Sequence, residues 1–153
     1  MNRLLSALCA IAVFTNISFA TTPLKLSIWE KTAIPQDDSV NGLEIGIGTY
    51  TPEVKGILCN LIYAKTDDCS GWQHACLITF TELFKGLQTG IINLNSGEIS
   101  GIQKGFFNKA VSVKGIQVGF INVAENMEGI QLGFINFIKK GPIPIMIIAN
   151  ARF

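Results

Sequence analysis

Histidine and paired carboxylates are the residue types in this chain that could do acid–base chemistry, and their surroundings do not arrange them as a site. His74 is the only histidine, and no Gly-x-Ser-x-Gly or similar nucleophile motif accompanies it. The carboxylate pairs Asp37-Asp38 and Asp67-Asp68 stand in turn-like segments without the additional oxygen ligands that calcium needs. The glycine-rich segment 42–48 lacks Gly-x-Gly-x-x-Gly. We therefore predict no catalytic, metal or cofactor site, and a protein that is not an enzyme.

Cysteine is the other reactive residue type, and Cys59, Cys69 and Cys76 remain once the first 20 residues are set aside. No Cys-x-x-Cys pair occurs, so neither a zinc nor a redox motif is predicted. If the chain turns back at Asp67-Asp68, Cys59 and Cys76 lie symmetrically about the turn, opposite each other on neighbouring strands. We predict a cross-strand contact between these two, bridged or not. Three small apolar core residues are the alternative.

The first 20 residues have the pattern of a secretory signal peptide. Arg3 supplies a positive start, residues 4–14 are mainly apolar, and Ser18-Phe19-Ala20 is a small-x-small cleavage site. Cleavage there leaves residues 21–153 as the exported protein. Charged residues make up 15% of the chain and the net charge is +1, so no nucleic-acid partner is predicted.

A repeated octapeptide organises the second half of the chain. The unit Gly-(Ile/Leu)-Gln-x-Gly-(Phe/Ile)-(Ile/Phe)-Asn occurs four times, with starts 15, 14 and 14 residues apart. Looser units start near positions 42, 56, 71 and 143, so the repeat fills a single domain over residues 21–153. The repeated framework residues are Gly86, Gln88, Gly90, Asn93, Gly101, Gln103, Gly105, Asn108, Gly115, Gln117, Gly119, Asn122, Gly129, Gln131, Gly133 and Asn136.

Each unit has the pattern of an extended strand, which predicts an all-β fold. Two glycines per unit and their β-branched or aromatic neighbours disfavour helix. Simple alternation in the unit at 115 places Gln117 and Ile121 on one strand face, and Phe120 and Asn122 on the other. The repeated glutamines and glycines share a face, where the side-chain amides can satisfy one another in a narrow interior.

Two arrangements fit a period of about 14.5 residues. One is an antiparallel meander of about eight or nine strands closed as a small barrel, and the other is a β-solenoid with coils of 14–15 residues. Apolar residues on both strand faces, a strand length suited to a bilayer and the C-terminal Phe153 favour the barrel. Lys104, which shares the lipid-facing side with Ile102 and Phe106, argues against it. The aligned asparagines would form a ladder in the solenoid. We predict the barrel and retain the solenoid as the alternative.

The repeat resembles a family of exported bacterial surface-repeat proteins with tandem Gly-Leu-Gln-x-Gly-Leu-x-Asn units. The match covers residues 86–136, and segment 141–153 resembles the apolar closing segment of that family. The resemblance implies export to the cell envelope and assigns no activity. We expect a non-enzymatic outer-membrane or surface-exposed protein of a Gram-negative envelope, in contact with outer-membrane lipid and its assembly machinery. The alternative is a soluble or surface-attached solenoid, periplasmic or secreted, that binds a partner. A small barrel enzyme is the least supported class.

Overall fold

A computed structural model describes residues 22–30 and 32–153, which form a continuous β structure. The signal peptide predicted over residues 1–20 lies outside these ranges. No helix within the described ranges is long and apolar enough to cross a membrane. The strands are β1 (Thr22–Glu30), β2 (Thr32–Ile34), β3 (Ser39–Tyr50), β4 (Glu53–Ala75), β5 (Ile78–Thr89), β6 (Ile92–Asn95), β7 (Glu98–Lys104), β8 (Phe107–Val118), β9 (Ile121–Ile138) and β10 (Ile145–Arg152).

The strands from β3 to β9 pair in parallel, and equivalent repeat positions lie side by side. Gly101 pairs with Gly115 and Gly115 pairs with Gly129, so the residues between successive first glycines make one full turn of the chain. The first glycines of the upstream coils are paired in the same way, Gly42 with Gly56 and Gly71 with Gly86. The protein is therefore a β-solenoid of about eight turns.

The predicted antiparallel barrel is wrong, and its solenoid alternative is correct. Among the described strands, antiparallel pairing occurs only at the two ends, between β1 and β2 and between β9 and β10. Asp67-Asp68, where a hairpin is predicted, lie inside β4, and Asp68 pairs in parallel with Leu83 of β5. Parallel stacking is favoured because it places each buried amide beside an identical amide of the next coil, whereas a hairpin opposes unlike positions.

A corner in each coil determines which side chains enter the core. Gln117 and Asn122 are both fully buried, although simple alternation assigns them to opposite faces. The corner Gly119-Phe120 lies outside the strands and interrupts the alternation between them. Phe120 is exposed and Ile121 is half-buried, on the outside of the coil. The coil thus sends both of its amide side chains inward.

A second glycine, four residues after the first, allows a short corner in most coils. At Gly105 a Cβ atom would lie 2.3 Å from a carbonyl oxygen of the preceding coil. The coils that start near 56 and 71 carry Asn60 and Ala75 at this position. Their corners hold one more residue, since Ile78, seven residues after its first glycine, pairs with Ile92, six residues after its own. This difference explains why the upstream units depart from the repeat.

Apolar side chains form a further buried column beside the amides. They occupy the position two residues before the first glycine of each coil. They are Val40, Val54, Cys69, Phe84, Ile99, Val113 and Met127. Since apolar area removed from water contributes about 25 cal/mol per Å², this column supplies hydrophobic stabilisation that the amides do not.

Candidate functional site

Cys59 and Cys76 do not lie opposite each other on antiparallel strands, as the predicted hairpin would require. Cys59 pairs with Ile45 of the preceding coil, and the backbone N–H of Cys76 donates to the carbonyl of Asn60 over 3.3 Å. All three cysteines in the described ranges are free thiols. Cys69 is buried in the apolar column and Cys76 is exposed. Burial, together with the nearby charges of Asp68 and then Glu44, raises the pKa of the Cys69 thiol to about 12. Cys69 is therefore a core residue with little nucleophilic character.

His74 lies half-buried on the outer surface in contact with neutral side chains. Its Nδ1 atom is 2.8 Å from Thr89 Oγ1, and the indole N–H of Trp72 donates to the same hydroxyl over 3.1 Å. The described residues contain no cluster of three or more His, Cys, Asp or Glu side chains placed to hold a metal ion. These contacts anchor His74 to its neighbours.

The glutamines form an amide ladder through the core. Each Nε2 group donates to the Oε1 atom of the preceding coil, over 2.9 Å from Gln88 to Gln73 and from Gln103 to Gln88. The bonds from Gln117 and Gln131 continue the ladder at 2.7 Å each. These amides are all fully buried. A buried polar group needs such a partner, and the ladder supplies it.

The asparagines form a second ladder that runs in the opposite direction. Asn93 donates to Asn108, and Asn108 to Asn122, over 2.8 Å, and Asn122 donates to Asn136 over 2.9 Å. The Nδ2 group therefore points to the following coil. Each of these three donors also reaches the carbonyl before the next corner glycine, in Lys104, Val118 and Leu132. The second ladder thus holds the corners of adjacent coils in register.

A buried polar network closes the N-terminal end of the core. The Lys25 ammonium donates to Thr51 Oγ1 over 2.9 Å and to the carbonyl of Asp37 over 2.7 Å. The hydroxyls of Thr51 and Ser27 donate to Glu44 Oε1 over 2.9 and 2.8 Å. Opposite charges in one network offset part of the unfavourable desolvation of each. We assign this cluster a structural role, because it joins β1 to the first full coil.

The outward positions after the first glycine form a predominantly apolar surface, which we call the apolar face. Its first two columns run Leu43, Ile57, Trp72, Leu87, Ile102, Ile116, Ile130 and Ile45, Cys59, His74, Thr89, Lys104, Val118, Leu132. Leu24 and Leu26 of β1 extend the columns at the N-terminal end. With coils about 4.8 Å apart, eight rows span roughly 34 Å.

The outer edge of the apolar face is a ridge of stacked aromatic rings. Phe106 and Phe120 stack with centroids 5.0 Å apart and planes 8° apart, and Phe120 and Phe134 stack at 5.0 Å and 9°. The three rings, with Ile91 in the preceding coil, form the corner column. They are exposed by 57%, 45% and 56%, in the order Phe106, Phe120 and Phe134. The ridge is therefore a continuous row of exposed aromatic side chains.

Charges are segregated around the coil. The outward positions of the apolar face contain one charged residue, Lys104. Columns with further lysines flank the face. Lys65 and Lys109 lie beyond the corner column, in a column that also holds Phe80, Leu94 and Val123. Lys55, Lys85 and Lys114 precede the first glycines, in a column that also holds Glu128. Most of the exposed or half-buried carboxylates lie on the remaining outward positions, which we call the polar side: Asp38, Glu53, Asp67, Asp68, Glu82, Glu98 and Glu125.

Comparison of the chain with known protein families, curated proteins and solved structures finds no match to any of them. The sequence already contains the apolar face, as alternate apolar residues in each unit, but assigning its orientation requires the position of the corner.

Proposed function

We propose that this protein is a non-enzymatic β-solenoid that serves as a structural and binding module of the cell envelope, attached to it or exposed on its surface. The apolar face is the observation that supports this proposal. Ile102 and Ile116 are 42% and 36% exposed within it, and equivalent apolar residues recur in every coil. Soluble monomers rarely expose continuous apolar patches larger than a few hundred Å², and larger ones mark contact sites.

The core is not available for binding, since its amides hydrogen-bond to one another and its apolar side chains pack together. Gln103 and Asn108 are fully buried and hydrogen-bonded to equivalent residues of neighbouring coils. A partner would therefore meet the outside of the solenoid. A repetitive flat surface of this kind suits binding to another extended surface better than binding to a small molecule, which needs a concave pocket.

Retention of the purified protein on a phenyl-substituted matrix tests this assignment. Ile102→Ser with Ile116→Ser should weaken retention strongly, because both side chains belong to the apolar face. Leu83→Ser with Val111→Ser is the matched control, since these residues are 51% and 36% exposed outside the face. Equal losses in the two double variants, with folding verified by circular dichroism, would contradict a face-specific binding role.

A further inference from the structure

The apolar face carries a cation in its middle column. Lys104 lies between Thr89 and Val118 of the adjacent coils, and Ile102 and Phe106 flank it along the chain. The three ion pairs among the described residues involve Lys55, Lys114 and Lys139. Lys104 is in none of them. A partner that covers the face must therefore supply an anion or leave a desolvated ammonium without a counter-charge, which is strongly unfavourable.

The remaining charges also favour an anionic partner. Beyond the corner column, Lys65 and Lys109 come before the first carboxylates of the polar side, which include Asp67 and Glu82. The Lys65 ammonium lies 4.9 Å from the centre of the Tyr50 ring. Beyond the corner, the coil therefore presents a mixed column of lysines and apolar residues and then the carboxylates. This order matches an interface with apolar material next to negative charge.

A second copy of the chain does not meet these requirements. Two apolar faces placed against each other would bury two Lys104 side chains, and neither face offers a carboxylate to pair with them. An anionic lipid surface provides both components: acyl chains for the phenylalanine ridge and phosphate for the ammonium. Lysine can place its methylenes along an apolar surface while its ammonium extends to the headgroups.

We propose that the apolar face lies on an anionic phospholipid bilayer, with the solenoid axis parallel to the membrane plane. The rings of Phe106, Phe120 and Phe134 enter the boundary between headgroups and acyl chains, and Lys104 and Lys109 bind lipid phosphate. The carboxylates of the polar side face water. This proposal rests on the proposed function, because it names the partner of the same face.

Flotation with vesicles of phosphatidylglycerol and phosphatidylcholine tests the proposal, with pure phosphatidylcholine vesicles as the reference. We expect binding to the anionic vesicles that weakens as salt is raised. Lys104→Gln with Lys109→Gln should lower the partition coefficient roughly 30-fold, because each lysine near an anionic surface strengthens binding about fivefold. Lys139→Gln with Lys140→Gln removes the same charge from the polar side, and should change binding about threefold or less.

Tryptophan fluorescence provides a second measurement that leaves the binding residues unchanged. Trp72 is 44% exposed on the apolar face, and Trp29→Phe makes it the only tryptophan, since the chain has two. Anionic vesicles should shift its emission to the blue, and lipids brominated near the headgroup should quench it. If the protein floats with the vesicles but its emission spectrum does not change, the proposed orientation is overturned.

The outcomes separate this proposal from the proposed function. Retention on the phenyl matrix without vesicle binding would overturn the lipid assignment and leave a binding face for another partner. Equal loss of vesicle binding in the two lysine variants would also overturn it, as would a detergent-free dimer held by the phenylalanine ridge. If the unaltered protein is not retained on the phenyl matrix and does not bind vesicles, both proposals are contradicted.

Discussion

At the scale of single residues, the buried amides specify the register of the solenoid. Gln103 accepts from Gln117 over 2.7 Å and donates to Gln88 over 2.9 Å. One such bond contributes only about 1 kcal/mol of net stability, whereas a buried amide without a partner is destabilising by about 1–3 kcal/mol. A slip of the coil by one residue would remove every partner at once. The glutamines therefore contribute more to uniqueness than to total stability.

The sequence alone predicts that the repeated amides are partners of one another. It does not predict that the glutamines and the asparagines both lie in the core. Alternation predicts opposite faces for Gln117 and Asn122, and the corner at Gly119-Phe120 overrides it. A corner of two residues leaves no periodic signal of its own. The apolar outward residues, such as Ile116, were likewise detectable as a pattern, and their exposure depended on that same corner.

The buried thiol of Cys69 should make stability depend on pH. Its pKa of about 12 lies above the ordinary value of 9.0. Between these values the folded chain keeps the proton and the unfolded chain loses it, so the free energy of unfolding falls as pH rises. The slope is at most about 1.4 kcal/mol per pH unit. Urea unfolding at several pH values from about 8.5 to 11, a range that begins near the ordinary thiol pKa, measures this slope.

Cys69→Ala is the control for that measurement. The substitution lowers stability at every pH because it leaves a small cavity, but it should reduce the slope above about pH 9. The difference in slope, and not the level of stability, reports on the thiol. A slope that is the same in both proteins would show that Cys69 ionises as readily in the folded chain as in the unfolded one.

At the scale of elements, the first glycine of each coil permits close stacking. Gly115 has a φ of +137°, and a Cβ there would lie 2.0 Å from the carbonyl oxygen of Gly101. The same conformation recurs at the equivalent glycines, including Gly101 and Gly129. A chain without glycine at this position could not bring its coils together without moving the backbone. The strands themselves were predictable from the sequence, because glycine and β-branched residues disfavour helix.

Gly115→Ala should destabilise the solenoid by about 3 kcal/mol or more, since it combines an unfavourable φ with a clash against the neighbouring backbone. Gly141→Ala is the matched control. No contact of its Cβ would be closer than 3.1 Å, to Cγ2 of Ile138, and a shift of a few tenths of an ångström relieves it, so the effect should stay within about 1 kcal/mol. Chemical denaturation monitored by circular dichroism compares the two. Equal destabilisation would mean that the glycine column does not control stacking.

Parallel and antiparallel pairing could not be distinguished from the sequence, because the length of the repeat unit is compatible with both. A unit of 14–15 residues accommodates one strand with a tight turn, or one full coil. The apolar residues on both strand faces suggested a lipid-facing barrel wall. The structure distributes them between the buried column, represented by Val113, and the outward positions, represented by Ile116.

At the scale of the whole molecule, a solenoid should tolerate the loss of one complete coil. Deleting residues 101–114 joins Ser100 to Gly115, which occupies the same repeat position as Gly101. The glutamine ladder then closes between Gln88 and Gln117, and the asparagine ladder between Asn93 and Asn122. Because each coil contacts mainly its neighbours, we expect a shorter, less stable and still cooperative β protein.

Deleting half a coil, residues 101–107, is the control for that experiment. It joins Ser100 to Asn108, which puts Asn108 in the place of the first glycine Gly101 and the outward Phe120 in the inward place of Val113, so this variant should fail to fold. Far-ultraviolet circular dichroism and size-exclusion chromatography measure both variants. Similar behaviour of the two deletions would contradict the independence of the coils.

The opposed ladders have a consequence for the electrical character of the particle. Glutamine amides point their N–H groups to the N-terminal end, and asparagine amides point theirs to the C-terminal end. Their dipoles therefore cancel in large part, and β-sheets add only a small net dipole. An α-helix, in contrast, accumulates partial charges at its termini. The solenoid can lengthen coil by coil without developing positive and negative poles, so no long-range field aligns such molecules end to end.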